Sequence, residues 1–254
     1  MRYTVTNSEI KRLKDNQPLC MHGTNHTLGP NTTHVKGFLL DLVIYLSVMF
    51  LIREVYIEQL GFIVNGLFWS LTTLLVATWR MRVRKVTWRD LGLRKPDNIL
   101  KTIGISIGIL VAVVLTIMVF EMVKDNLPFS VAPDTSSENA VSKFGDLKGN
   151  WALFLSIMPL VLLESMLEEL LDRGFVLNWI ERLFSSTTVA TVIAVVMQAA
   201  IFGFRHSYDL SARSITTGLI GLIMGIAYVV FGRNLWPLII AHCLLNTISM
   251  MDRV

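Results

Sequence analysis

The chain is short of cysteine and of charge, and each shortage excludes something. Its two cysteines, Cys20 and Cys243, lie far apart, one in a polar stretch and one in an apolar run. That rules out a disulfide framework and any zinc-knuckle spacing, and two free thiols are expected. Charged residues make up 17% of the sequence, against about 25% in a soluble domain. Aromatic and basic residues do not alternate as a single-strand binder requires, so the net charge of +4 points to membrane orientation and not to nucleic acid. The first residues have neither an apolar core nor a small-residue cleavage site, so no signal peptide is expected. No internal repeat of the kind common in transporters is found.

What is there is apolar sequence in long runs, 53% of the chain being hydrophobic. A helix needs about 20 apolar residues to cross a bilayer. About seven stretches qualify: Phe38 to Ile57, Leu60 to Trp79, Ile99 to Val123, Trp151 toward Phe184, Thr187 to His206, Ser214 to Phe231 and Leu235 to Met250. The fold class is therefore all-α, a polytopic transmembrane helical bundle with the lipid bilayer as its partner. The first two spans are joined by a short charged turn (Arg53, Glu54, Glu58), with Arg53 and Glu54 read as interfacial, and should form a tight hairpin. Gly221 and Gly225 form a small-residue face for close helix packing in the sixth span.

Residues 1–36 are polar, rich in Asn, Thr and His, and read as a disordered tail before a membrane domain over 37–254. His22 and His26 are separated by Gly23, Thr24 and Asn25, which argues against a metal-binding helical face. Asn25-His-Thr and Asn31-Thr-Thr match the glycosylation sequon. Basic residues set the orientation. The densest group, Arg80, Arg82, Arg84, Lys85, Arg89, Arg94 and Lys95, should be cytoplasmic. Parity puts the N-terminal tail on that side and the 124–150 loop opposite.

Ionisable groups inside a membrane are costly and are functional candidates by default. Here they concentrate in the last three-fifths of the chain. Glu164, Glu168 and Asp172 repeat at i, i+4 and i+8 on one stripe, and Glu169 and Arg173 are spaced to pair on the next. Stacked carboxylates in a low-dielectric site cannot both ionise cheaply, a situation suited to chemistry that needs one acid and one base. His206 ends the fifth span, and His242 and Asn246 share a face of the seventh. With a turn near Ser185, Glu168 lies about 26 Å up one arm and His206 about 31 Å up the other, at similar depth. His242, about 14 Å from the Gly232 turn, is too shallow unless a kink, a tilt or a re-entrant turn at Pro237 intervenes.

A carboxylate and a neutral imidazole can hold and deprotonate a water. His242 and the Asn246 amide can donate to an oxyanion. Together these are the parts of amide hydrolysis with water as nucleophile. Glu168, His206 and His242 could instead ligate a divalent metal such as zinc, although the His-Glu-x-x-His helix of many metalloproteases is absent. Metal-free hydrolysis is the reading adopted, because the asparagine is better explained as an oxyanion donor than as a ligand. Cys243 points about 100° away from His242 on the helix, which argues against a cysteine nucleophile.

Three motifs on separate spans carry a family resemblance: Glu168-Glu-x-x-x-Arg173-Gly174, Phe202-x-x-x-His206, and Gly232-Arg-Asn-Leu-Trp-Pro237 leading to His242-x-x-x-Asn246. Trp88-Arg-Asp-Leu-Gly-Leu93 adds to it. The sequence resembles the CPBP family of CAAX proteases and bacteriocin-processing enzymes. The resemblance implies a polar cavity among the last four spans and a catalytic core at 151–250. It implies water activation by Glu168 and His206 and an oxyanion site at His242 and Asn246. It also implies that Glu169, counted with the catalytic residues, supports the site or handles protons, with Arg173 holding the site in place. Phe202 and Glu164 are counted as supporting residues. Asp172 stands where the family commonly has an aromatic residue. The implied function is a CAAX-prenyl-protease-like intramembrane endopeptidase acting on a peptide or membrane protein, such as a prenylated C-terminal peptide. A non-catalytic membrane scaffold of the same fold and an ion pathway are the competing readings.

Overall fold

Helix formation follows the apolar runs, and local signals set the ends. The computed structural model describes residues 32–126, 132, 143–184, 187–209 and 211–254. Cys20, His22, His26 and both sequon asparagines lie outside them. The helices are α1 (Thr32–Leu51), α2 (Gly61–Val83), α3 (Ile99–Val123), α4 (Trp151–Glu169), α5 (Asn178–Leu183), α6 (Thr188–Ser207), α7 (Ala212–Val230) and α8 (Trp236–Met251). A π-helical stretch, Leu170–Leu177, joins α4 to α5. Asn98, Asn150 and Thr187 cap α3, α4 and α6, each side chain accepting a backbone N–H three residues on, as such residues do. Pro237 sits in the first turn of α8, where its missing N–H costs nothing. Among the described residues no β-strand is present.

Among the described residues, six helical stretches are long and apolar enough to span a membrane, and α8 is shorter. The expected seventh crossing is thus a short helix. The surface is apolar where lipid would lie: Leu75, Leu100 and Met122 are 72%, 81% and 77% exposed. Charged and polar groups are buried instead, among them Asp41, Glu169, Asp172 and Arg173, all at 0%. That inversion, with the apolar runs, makes this an integral multi-pass membrane protein.

Residues Thr32–Val254 form one unit. Within it α6 packs along α7, α8 lies against α3 and α4, α2 against α4, and α1 against α2 and α5. Gly221 and Gly225 do face α6, next to Phe202 and Gln198, and Gly218 meets Gly203 across the same seam. Asp41 of α1 ties three helices together. It accepts Arg80 Nε at 2.7 Å, Arg84 Nε at 2.6 Å and Trp179 Nε1 at 3.3 Å. Removing one member of such a buried set costs about 3–5 kcal/mol.

The depth of His242 follows from the segment before α8. Arg233, at φ 54°, pairs with Glu181. Two residues later Leu235 is already beside Gly174, where an added Cβ would lie 3.4 Å from Leu235 Cδ1. Glu181 and Gly174 are about 10 Å apart along a helix; two residues of backbone span at most about 7 Å, so the climb before α8 is shared between the backbone and the side chains of Arg233 and Leu235. The Trp88–Leu93 segment props it there: Leu235 N–H donates to Gly92 O at 3.0 Å, and the Tyr228 hydroxyl donates to Leu91 O at 2.8 Å. The helix starts inside the bundle, which supplies the depth that a simple hairpin lacks.

Candidate active site

The polar residues of α4, α6 and α8 meet in one place. Glu168 is at the centre. Its Oε1 is 3.5 Å from His206 Nε2 and its Oε2 is 3.6 Å from His242 Nε2. Both gaps exceed a direct hydrogen bond. Each imidazole is turned by its other nitrogen: His206 Nδ1 contacts Phe202 O at 2.6 Å, and His242 Nδ1 contacts Glu169 Oε1 at 2.7 Å. A carbonyl oxygen only accepts, so the proton of neutral His206 is on Nδ1 and its Nε2 lone pair faces Glu168.

Glu169 does not reach the cavity. Its Oε1 accepts from His242 and also from Arg173 Nη1 at 2.9 Å, the pair expected from their spacing. Arg173 in turn lies 4.3 Å from the centre of the Phe202 ring, a cation–π contact. Phe202 thus touches the site twice, through its carbonyl and its ring. Asn246 donates from Nδ2 to the Ser165 hydroxyl at 2.8 Å, and its second amide N–H is not used in that bond.

The acidic stripe is only partly regular. Glu164 and Glu168 line a cavity of about 1330 Å³, together with Phe202, His206, His242 and Asn246. Asp172 falls in the π-helical stretch and is fully buried below them. Arg205 joins the two levels, 2.7 Å from Asp172 Oδ2 and 3.3 Å from Glu168 Oε1. Two groups that sequence reasoning passed over belong here, Arg205 and Ser70, whose hydroxyl donates to Glu164, and Arg53, read there as interfacial, joins them. Arg53 is not simply interfacial: it lines the cavity and donates to the Arg205 carbonyl at 2.6 Å. Arg205 had a signal, being a cation in an apolar span.

The cavity also draws on more than the last four spans. Met49 and Arg53 near α1, Phe62 and Ser70 of α2, and Ile117 and Glu121 of α3 complete its wall. Cys243 faces away from Glu168, with its thiol 3.7 Å from the Leu162 carbonyl. Among the described residues no set of three or more His, Cys, Asp or Glu side chains is arranged to hold a metal ion. The Arg205 guanidinium beside Glu168 Oε1 also works against a cation at Glu168, His206 and His242.

Residues 150–248 match the model of a family described as Type II CAAX prenyl endopeptidase Rce1-like. This segment, under half of the chain, is similar to that family. It runs from the cap of α4 almost to the end of α8 and contains Glu164, Glu168, Glu169, Arg173, His206, His242 and Asn246. Helices α1–α3 lie outside the Rce1-like match. No curated protein and no solved structure matches the chain significantly.

Proposed function

We propose that the protein is an intramembrane endopeptidase that hydrolyses a peptide bond with water held at Glu168 and His206. The observation that carries the reading is the approach of two imidazole Nε2 atoms to the two oxygens of one cavity-lining carboxylate. The family match points to the same activity.

A water between Glu168 and His206 gives up a proton to the carboxylate as its oxygen attacks the peptide carbonyl. The carbonyl oxygen becomes an oxyanion facing Asn246 and His242; the Asn246 amide donates to it, and His242, whose Nδ1–H is given to Glu169, donates from Nε2 as the imidazolium. Glu169 accepts from His242 Nδ1 and so holds the ring in place. Collapse of the intermediate breaks the C–N bond, and the proton held on Glu168 passes to the departing amine. Arg173 donates to Glu169 and holds it in place, and Arg205 stands beside Glu168 Oε1.

The test is cleavage by purified protein in detergent of a fluorogenic peptide ending in a prenylated cysteine, beside its unprenylated counterpart. Wild type, Glu168→Gln and His206→Ala are compared, with and without a chelator. The proposal expects cleavage by wild type and a loss of at least about 100-fold in each variant, the usual scale for a general base. Variants that cleave as wild type does refute the assignment. Loss of wild-type activity on chelation refutes the metal-free route.

A further inference from the structure

Glu164 lies one turn before Glu168 on α4, and Asn246 lies one turn after His242 on α8. The two helices run antiparallel where they pack: Glu169 meets His242 at 2.7 Å, and Ser165 meets Asn246 at 2.8 Å. The site therefore has two levels about 6 Å apart. Glu168, His206 and His242 form the lower one, where the water is held. Glu164 and Asn246 form the upper one, and all five line the cavity.

The reaction described above uses Asn246 at the upper level and leaves Glu164 without a task. The Ser70 hydroxyl donates to Glu164 Oε1. Its Oε2 is buried and has no hydrogen-bond partner among the described residues. A buried carboxylate oxygen without a donor is costly, and nearly all such atoms in folded proteins have one. A donor brought in by a substrate would satisfy it. Successive helical residues diverge by about 100°. Where Ser165 turns to α8, Glu164 turns toward α2, and Ser70 of α2 holds it there. A trans peptide points its C=O and its N–H in opposite directions. With the carbonyl oxygen at Asn246, on the α8 side, the N–H of the same bond points to the α2 side and Glu164.

We propose that Glu164 is a second catalytic carboxylate, which accepts the N–H of the scissile peptide bond and then faces the charge on the departing amine. This role rests on the endopeptidase reading. No covalent bond forms to Glu164. Glu168 becomes neutral when it takes the proton of the water. The nitrogen gains positive charge as that proton reaches it and the C–N bond breaks, and Glu164 Oε2 is the carboxylate oxygen beside it. The interaction strengthens as the nitrogen becomes charged, so it acts on kcat more than on KM. Two carboxylates one turn apart divide the work, one exchanging the proton and the other holding the nitrogen.

The experiment replaces the scissile –NH– of the substrate with –O–. Mass spectrometry of the cleaved fluorogenic peptide locates the bond, and the ester analogue is made at that bond. Full-length wild type and Glu164→Gln are compared on both substrates in detergent. An ester has no N–H to donate and departs as a neutral alcohol, so it gives Glu164 nothing to hold. Glu164→Gln should lose about 10- to 100-fold in kcat on the amide, the scale of one hydrogen bond to a charged group, with KM changed far less. On the ester it should stay within about threefold of wild type, since no interaction there is lost. Both rates come from one preparation, so misfolded protein cancels from their ratio. Glu164→Asp, which draws the carboxylate back by one methylene, should favour the ester in the same way and repeats the comparison if the first variant is not produced. Equal losses on amide and ester make Glu164 a structural residue and overturn the proposal, as does an undiminished amide rate. Either result in an active enzyme leaves the endopeptidase reading standing. A wild type that cleaves neither substrate removes that reading and the role of Glu164 with it.

Discussion

Arg205 and Asp172 form a buried ion pair at 2.7 Å, one helical level below the carboxylate that faces the cavity. The same guanidinium stands 3.3 Å from Glu168. Asp172 is wholly buried, and Arg205 is the cation that faces it at that depth. Arg205→Leu should therefore destabilise the protein by about 3–5 kcal/mol, the cost of leaving one partner of a buried pair uncompensated. Thermal unfolding in detergent reads this directly. Arg205→Leu combined with Asp172→Leu should recover most of the loss, because an apolar pair of similar volume needs no counter-charge. If the single variant melts like wild type, Arg205 is not the counter-charge of this site.

The α6–α7 seam depends on an absent side chain. A Cβ on Gly203 would collide with the Ser214 carbonyl and lie 2.9 Å from Gly218 Cα. Both obstacles are backbone and cannot rotate away. Gly203→Ala should cost about 1–3 kcal/mol, as overpacking does. Gly104→Ala on α3 is the control: nothing lies within 4 Å of its Cβ position, and helix propensity there favours alanine. A lowered unfolding midpoint for Gly203→Ala and an equal or higher one for Gly104→Ala is the expected pattern.

The connection after His206 carries its own acid sensitivity. Asp209 accepts from the Ser211 hydroxyl at 2.6 Å and from the Ser211 N–H at 3.1 Å. Those bonds, the hydroxyl's first, hold its carboxyl below the usual carboxylate range. The depressed value fixes the sign: the bonds contribute fully above the ordinary aspartate range and are lost as pH falls through the lowered value. Carboxyl-carbon NMR should show Asp209 titrating below the ordinary range in wild type and moving back up in Ser211→Ala. An unmoved midpoint in that variant would show that the serine hydroxyl is not the cause.

Parts of the site were legible in the sequence because helical spacing is local. Glu169 and Arg173 are one turn apart on one helix, so their pairing needs no tertiary information. Glu168 and His206 are also readable, since two arms from one turn reach similar depth. Asp172 is different. The widening from Leu170 to Leu177 moves it out of line with Glu164 and Glu168, and no residue type announces a π-helical stretch. The depth of His242 depends on Arg233 holding Glu181 and on Leu235 reaching Gly174, contacts between residues more than fifty positions apart. Ser70 had no signal either: a single serine in an apolar span acquires meaning only when α2 packs against α4 and brings Glu164 to it.

Asn246 offers the most direct test of where negative charge develops. Its amide already donates to Ser165 at 2.8 Å and lines the cavity next to His242, so its remaining N–H can serve a reacting carbonyl. Asn246→Asp keeps the shape and replaces the donor with an ionisable acceptor. Near Glu168 and a forming oxyanion, that acceptor repels where the amide attracts. Removing one oxyanion donor typically costs about 100- to 1,000-fold in kcat, and Asn246→Asp should lose at least that much with KM changed far less. Ser165→Ala separates this effect from packing. It removes the hydroxyl that Asn246 holds but leaves both amide N–H groups available, so kcat should stay within about threefold of wild type, as expected when a single neutral hydrogen bond is lost. Equal kcat in Asn246→Asp and wild type would remove the asparagine from the chemistry and leave the oxyanion to His242 alone.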